Sequence, residues 1–246
     1  MPPPVYLPRL LSKYGVCSRK EAEQRVVDGR VAVNGVTRRD VLFEVRPGRD
    51  QVTLDGRELN PPSRLVVKMH KPVGVVSTMK DERGRESVAD LLPEAFRGVM
   101  PMGRLDRDTS GILLLTNDHD LANRVIGDRS HVEKRYRITV AGDVEDARLA
   151  PIRRGIRIDG ELCLPAPARV VQATGDRSVV EVKLVEGKNR QLRRAFAVMK
   201  FEIVSLERLS IGPILLADLA PREVRALSTA ELAALREAAG AARARD

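Results

Sequence analysis

The chain has 246 residues, with 43 Lys and Arg against 34 Asp and Glu, a formal net charge of +9 and a sequence pI near 10.0. A hydrophobic share of 43% excludes a disordered chain, and no apolar run approaches the roughly 18 residues of a membrane helix. Aromatics at 3%, with no Trp, exclude a sheet that stacks several bases on rings, and two distant cysteines with three scattered histidines give neither a disulfide framework nor zinc-ligand spacing. The positive balance favours a polyanionic partner, nucleic acid first. The opening MPPPVYLPRLLSK lacks the apolar core of a signal peptide, so a cytoplasmic location and no membrane partner are expected.

In chain order, Leu7, Leu10, Leu11 and Tyr14 recur at helical spacing, and Gly15 can end that helix. Ser18 stands three residues before Glu21, the spacing of a capping box, and starts a second helix carrying Arg19, Lys20 and Arg25. Arg19 and Lys20 open that helix, where cations oppose the helix dipole unless an anion such as an RNA phosphate joins them. The alternative is a pair of solvated charges. Short strands follow, with turns at Asn34-Gly35, Pro47-Gly48 and Asp55-Gly56. NPPSR at 60–64 resists helix and central strand and marks a linker. The stretch LPRLLSKYGVCSRKEAEQRVVDGRVAVNG resembles the ribosomal-protein-S-four-type (alpha-L) RNA-binding module. That resemblance implies that Arg19, Lys20 and Arg25 contact RNA.

Beyond the linker the chain mixes strands and helices. LVVKMHKPVGVVST gives two apolar runs, and GILLLT reads as a strand buried on both faces. NDHDLANRVI begins a helix capped by Asn117 or Asp118. KRYRITVAGD, GIRIDGELCL, ARVVQATGD and SVVEVKLVEG read as strands. NRQLRRAFAVM reads as a helix with Leu192, Phe196 and Met199 on its apolar stripe. An alanine-rich helix closes the chain and frays at its basic end. Many adjacent strands and few helices favour an α+β fold with a mostly antiparallel sheet. The expected domains are residues 1–62, 63–228 and a C-terminal helix or tail at 229–246.

The stretch GRLDRDTSGILLLTND places Asp106 and Asp108 before an uncharged run. Asp106, Asp108, Ser110 and Gly111 match the opening positions of an EF-hand loop, but the bidentate Glu that closes such a loop would fall on Asn117. Calcium, and any metal site, is rejected. Asp108, Thr109 and Ser110 suit a turn or cap. Asp106 suits that role less well, since a strand follows it. A carboxylate on a loop before a rigid strand could also serve as a nucleophile, kept ionised by nearby arginines. Spacing alone does not choose between capping and catalysis.

The same stretch closely resembles the signature of pseudouridine synthases, specifically the rRNA enzymes of the RsuA/RluB/RluF branch. KPVGVVST, EKRYRITV and EGKNRQLRRAF agree with it in order. The resemblance implies isomerisation of a uridine within RNA with no cofactor, and a catalytic domain of mixed, mostly antiparallel sheet flanked by helices. It assigns Asp106 the catalytic role, and Tyr136 the place of the active-site tyrosine. Arg193 becomes the basic partner of Asp106. Lys71 is implied as a support of the cleft, and Arg104 as a residue that contacts RNA backbone or braces the loop. Arg190 and Arg194 share a helix side with Arg193, and with Lys188 they form a basic helix start open to phosphate.

EGKNRQ is closer to the large-subunit enzymes than to the small-subunit ones. The expected partner is therefore ribosomal RNA, of the large subunit first, with assembling subunits as a further partner and the enzyme as a monomer. Small-subunit rRNA or tRNA is the alternative target. A non-catalytic RNA-binding assembly factor is the rival of a different class. The chain departs from the family pattern at His70, His119 and Lys200. At Lys200 a glycine in a left-handed cap is usual.

Overall fold

The computed structural model describes residues 3–60, 63–127 and 130–241. Pro61 and Pro62 of the expected linker, and the basic end of the C-terminal segment, lie outside the described residues. The chain divides into two units between Arg64 and Leu65.

The smaller unit runs β1 (Val5–Tyr6), α1 (Leu7–Lys13), α2 (Arg19–Val27), β2 (Val31–Val33), β3 (Val36–Arg38), β4 (Glu44–Val45), β5 (Val52–Leu54) and β6 (Arg57–Glu58). Helix α1 buries Leu7, Leu10 and Leu11, and Gly15 follows it at φ +73°. At α2 the capping box closes in both directions: Glu21 N donates to Ser18 Oγ (3.3 Å) and Ser18 N donates to Glu21 Oε2 (2.8 Å). Ala22 and Val26 turn inward against Val31, Val33, Val52 and Leu54. The sheet order is β3-β2-β5-β6, with β1 paired to β4. Asn34 and Gly35 both take positive φ, which is the hairpin geometry their sequence favours.

The larger unit contains β7 (Val66–Lys71), β8 (Met100–Pro101), β9 (Ser110–Thr116), α3 (His119–Ile126), β10 (Lys134–Ala141), α4 (Ala150–Arg154), β11 (Arg157–Ile158) and β12 (Glu161–Leu162). It continues through β13 (Ala168–Ala173), β14 (Arg177–Leu184), α5 (Gln191–Val198), β15 (Ile203–Ile211), β16 (Ile214–Leu215), β17 (Val224–Ala226) and α6 (Thr229–Ala241). Its sheet runs β13-β14-β10-β15-β9-β7-β17, with β16 beside β15 and β8 beside β9. Strands β9 and β15 run parallel, and the other pairings among the described strands of this sheet are antiparallel. The fold is α+β, a mixed and mostly antiparallel sheet with helices packed on it.

The absence of charge in GILLLT follows from the position of β9 inside this sheet. Alternate residues of a strand face opposite sides. Ile112 and Leu114 pack with Leu121, Val125 and Leu235, while Leu113 and Leu115 pack with Met69, Val75 and Val88. Gly111 begins the buried run at φ +110°, opposite Arg208 across the parallel pair. A Cβ there would lie 2.3 Å from the Arg208 carbonyl oxygen and 2.5 Å from its nitrogen. Only glycine permits the two strands to meet at this point.

Asp118, rather than Asn117, caps α3, its Oδ1 accepting from Leu121 N at 3.2 Å. Helix α6 is not a separate tail. Leu235 and Ala239 are buried in the same cluster as Leu121 and Val125, and Glu231 pairs with Lys68 Nζ at 3.1 Å. Leu232, Leu235 and Ala239 recur at helical spacing and turn one face of α6 into that cluster, which composition alone does not reveal. No described helix is long and apolar enough to cross a membrane. Helix α5 ends as the usual glycine would end it, with Lys200 in its place at φ +61°. Phe201 N donates to Phe196 O and Lys200 N to Ala197 O, both at 2.9 Å, the bond pair of a Schellman motif.

Two stability predictions follow from these backbone positions. Gly111→Ala lowers unfolding free energy by about 3 kcal/mol or more, because backbone on the facing strand cannot yield to the added methyl. Lys200→Gly raises it by about 1 kcal/mol by relieving the left-handed lysine. Urea unfolding with unchanged m-values checks both, and a neutral Gly111→Ala would contradict the close strand contact.

Candidate active site

The loop that carries Asp106 is held from below by the segment after β7. Ser77 bonds Leu105 twice: its Oγ donates to the Leu105 carbonyl (2.9 Å) and accepts from Leu105 N (3.1 Å). Gly74 N donates to Arg107 O (2.7 Å), and Arg107 Nε donates to Gly74 O (3.0 Å). Lys71, fully buried, fixes that segment in turn through Nζ bonds of 2.9 Å to the carbonyls of Pro72 and Val75. Burial pushes its ammonium down to about 8, opposed by the charges of Asp106 and Asp108. Lys71 thereby fastens the turn on which the aspartate loop rests.

Within the loop, Thr109 N donates to Asp106 O at 3.1 Å, closing a turn over residues 106–109. Only the backbone of Asp106 serves that turn. Its carboxylate is 30% exposed, faces a cleft of about 660 Å³, and has Arg190 Nη1 at 3.6 Å. Asp108 is the carboxylate that the arginines engage. Arg190 grips it with a fork, Nη1 to Oδ1 at 3.1 Å and Nη2 to Oδ2 at 2.9 Å. Arg193 Nε lies 3.1 Å from Asp108 Oδ2, and Arg193 Nη2 donates to the Asp108 carbonyl at 2.6 Å. Hydrogen bonding from Arg190, then the charges of Arg193 and Arg190, holds the Asp108 carboxyl below the usual carboxylate range.

This corrects two sequence expectations. Arg193 pairs with Asp108 rather than Asp106, and Asp108 is a clamp point rather than a plain turn residue. The reason is geometric. Arg190 does not lie on the helix but precedes it, at φ +47° and ψ +32°, so its side chain and that of Arg193 converge on one carboxylate.

The floor of the cleft is formed by β10 and β15. Tyr136 on β10, half-buried, stands opposite Arg208 of β15. Lys134, two residues before Tyr136, shares its face. Lys134 and Arg208 are buried and line the same cleft as Asp106, Thr109 and Tyr136. Neither cation was picked out from the sequence. The available signal was a charge at an inward strand position: Lys134 alternates with Tyr136, Ile138 and Val140, and Arg208 with Leu206.

The expected RNA contacts are dispersed. Arg104 is exposed at the cleft edge. Lys188 is turned to its own chain, with Nζ 2.8 Å from Glu161 Oε1 and 2.8 Å from the Leu162 carbonyl. Arg194 pairs with Asp159. Helix α5 begins at Gln191, so Gly187-Lys188-Asn189 stand before it without forming its first turn. In the smaller unit Arg19 and Lys20 are exposed, Arg19 lies 3.5 Å from Glu23, and Arg25 is half-buried.

Comparison with known proteins identifies the family of the chain. The family described as RNA pseudouridylate synthase matches residues 65–198, and the S4 domain matches residues 7–52. An uncharacterized RNA pseudouridine synthase of Aquifex aeolicus is 33% identical over 237 residues, covering 96% of this chain and 95% of the relative. The ribosomal large subunit pseudouridine synthase B of Bacillus subtilis is 32% identical over 232 residues, covering 94% and 95%. The dual-specificity RNA pseudouridine synthase RluF of Escherichia coli is 32% identical over 231 residues, covering 93% and 77%. A crystal structure of a pseudouridylate synthase superimposes with a TM-score of 0.66 and 25% identity, over 94% of this chain and 99% of that one. The chain belongs to the RNA pseudouridine synthase family, with an S4 domain at its N-terminus.

Proposed function

We propose that the protein isomerises a specific uridine of ribosomal RNA, in the large subunit, with Asp106 as the catalytic carboxylate. One observation carries the assignment. Of the two aspartates in the signature loop, Asp108 is held by two arginines, whereas Asp106 presents its carboxylate to the cleft beside Tyr136. The motif EGKNRQ and the large-subunit action named for the Bacillus subtilis relative support the target.

In the reaction the C1′–N1 bond breaks, uracil turns, and C1′ rejoins through C5. No atom is added or lost. Asp106 attacks, or stabilises or deprotonates the sugar, and the Tyr136 ring stacks on the flipped base with its hydroxyl near C5. Arg190 and Arg193 hold the loop through Asp108, so that Asp106 does not have to be gripped itself. Base flipping costs about a few kcal/mol, and basic residues supply binding energy for it. Arg19, Lys20 and Arg25 of the RNA-binding module contribute, as do Arg104, Lys188 and Arg194 near the cleft. The carboxylate pairs of Lys188 and Arg194 are partly exposed, and such pairs are worth about 1 kcal/mol or less, so a phosphate can replace the carboxylate. The enzyme acts as a cytoplasmic monomer on rRNA, including rRNA in assembling subunits. Residues 1–62 serve as the RNA-binding module and 63–228 as the catalytic domain.

Asp106→Asn is expected to bind RNA within about twofold of wild type and to form no pseudouridine. Retained product formation would sink the assignment. Mapping pseudouridines in rRNA and tRNA from cells with and without the protein identifies the target. A change confined to small-subunit rRNA or tRNA overturns the large-subunit choice, and no change at all favours a non-catalytic assembly factor. Asp108→Asn is expected to leave RNA affinity intact and to lower the single-turnover rate about 10–100-fold, as the loop loses its clamp. A rate equal to wild type would show that the clamp is dispensable.

A further inference from the structure

Two cations on the cleft floor have no carboxylate partner among the described residues. Lys134 is 8% exposed and Arg208 is 5% exposed. Lys134 Nζ makes one long contact, 3.4 Å to the Val185 carbonyl. Arg208 Nε donates to the Ile112 carbonyl at 2.9 Å, and its buried Nη2 has no partner among the described residues. Among the described residues, neither carboxylate that lines the cleft pairs with Lys134 or Arg208. Asp106 lies beside Arg190, and Glu186 accepts from Leu164 N at 2.9 Å and from the Gln191 side chain. Burial, then the Arg208 charge, pushes the Lys134 ammonium down to about 8. Unpaired buried charge is costly, and a pair of like charges compounds the cost. A floor of this kind is complementary to a group that is negative when it sits there.

We propose that Lys134 and Arg208 bind the uracil oxygens of the flipped nucleotide and stabilise the negative charge that develops on the base during isomerisation. The proposal rests on the uridine-isomerising reading above. When the C1′–N1 bond breaks, its electron pair stays with uracil and is delocalised onto O2 and O4. The pair then forms the C1′–C5 bond, the C5 proton leaves, and N1 takes up a proton. If Asp106 instead adds to the ring, the negative charge again reaches a carbonyl oxygen before the ring turns. Either way, cations fixed at the base oxygens are worth more at the charged stage than with neutral uracil bound.

Depth favours the base over a backbone phosphate as the ligand. The two cations flank Tyr136 at the floor of the cleft, where a flipped base fits, whereas a phosphate stays with its chain at the rim. In this role both residues touch substrate and are catalytic.

The test compares wild type, Lys134→Met and Lys134→Arg in single turnover. The substrate is a transcript spanning the mapped uridine, and the same transcript carrying 5-fluorouridine, whose base bears negative charge more readily. Lys134→Met is expected to slow conversion of uridine about 100-fold with little change in RNA affinity. Its deficit is expected to shrink at least several-fold for consumption of 5-fluorouridine, and Lys134→Arg to recover most of the rate. Three results overturn the proposal. One is weaker RNA binding with a salt slope reduced by about one and an unchanged rate at saturation, which marks a phosphate contact. Another is an equal deficit on both bases, which marks a structural role. The third is an unaltered Lys134→Met enzyme. Wild type inactive on every RNA would instead overturn the isomerase reading itself.

Discussion

The close approach of Gly111 to Arg208 is the contact on which the larger unit depends. It is where β9 and β15 run side by side, and it joins β7 and β9 to the antiparallel set of β10, β13, β14 and β15. A side chain at Gly111 would occupy the backbone of Arg208. The same few residues set the site. Just before the junction lies the aspartate loop, and just beyond the sheet line the Arg208 side chain reaches the cleft floor. Fold and site therefore share one constraint, a glycine at the start of a buried strand.

Charge in the cleft is distributed by a division of labour between two neighbouring carboxylates. Asp108 takes the forked bonds of Arg190 and a second arginine, and is thereby a fixed point between α5 and the loop. Asp106 is left with a half-open carboxylate and one ionic neighbour. A clamp placed directly on Asp106 would close its carboxylate off from the cleft. Placing it two residues away orients the group without occupying it. Lys71 works at a further remove, fastening the turn under the loop through carbonyl bonds rather than by ion pairing.

Much of the fold was legible because its signals are local. The Ser18 capping box, the Asn34-Gly35 hairpin and the buried run after Gly111 each act within a few residues. Lys200 was legible as a departure from glycine, and it keeps the left-handed conformation because two backbone bonds close the helix end. The C-terminal helix was legible as a helix, but alanine-rich composition does not say what it packs against. Lys134 and Arg208 escaped notice because a lysine or arginine on a strand ordinarily faces water. Only the register of β10 against β15 turns both inward.

By itself the sequence determined the kinds of element, their order, the family signature and the presence of an aspartate poised before a rigid strand. Periodicity, caps and turn residues express themselves in the chain's own neighbourhood, so they can be read without a partner. The tertiary structure alone decided which aspartate meets which arginine, over separations of 82 and 85 residues, and which cations line the cleft with Tyr136. Those pairings depend on where β10, β15 and the start of α5 converge, and a left-handed residue at Arg190 is enough to send two arginines to Asp108. Charges a few ångströms apart interact strongly, and the sequence carries no measure of that distance.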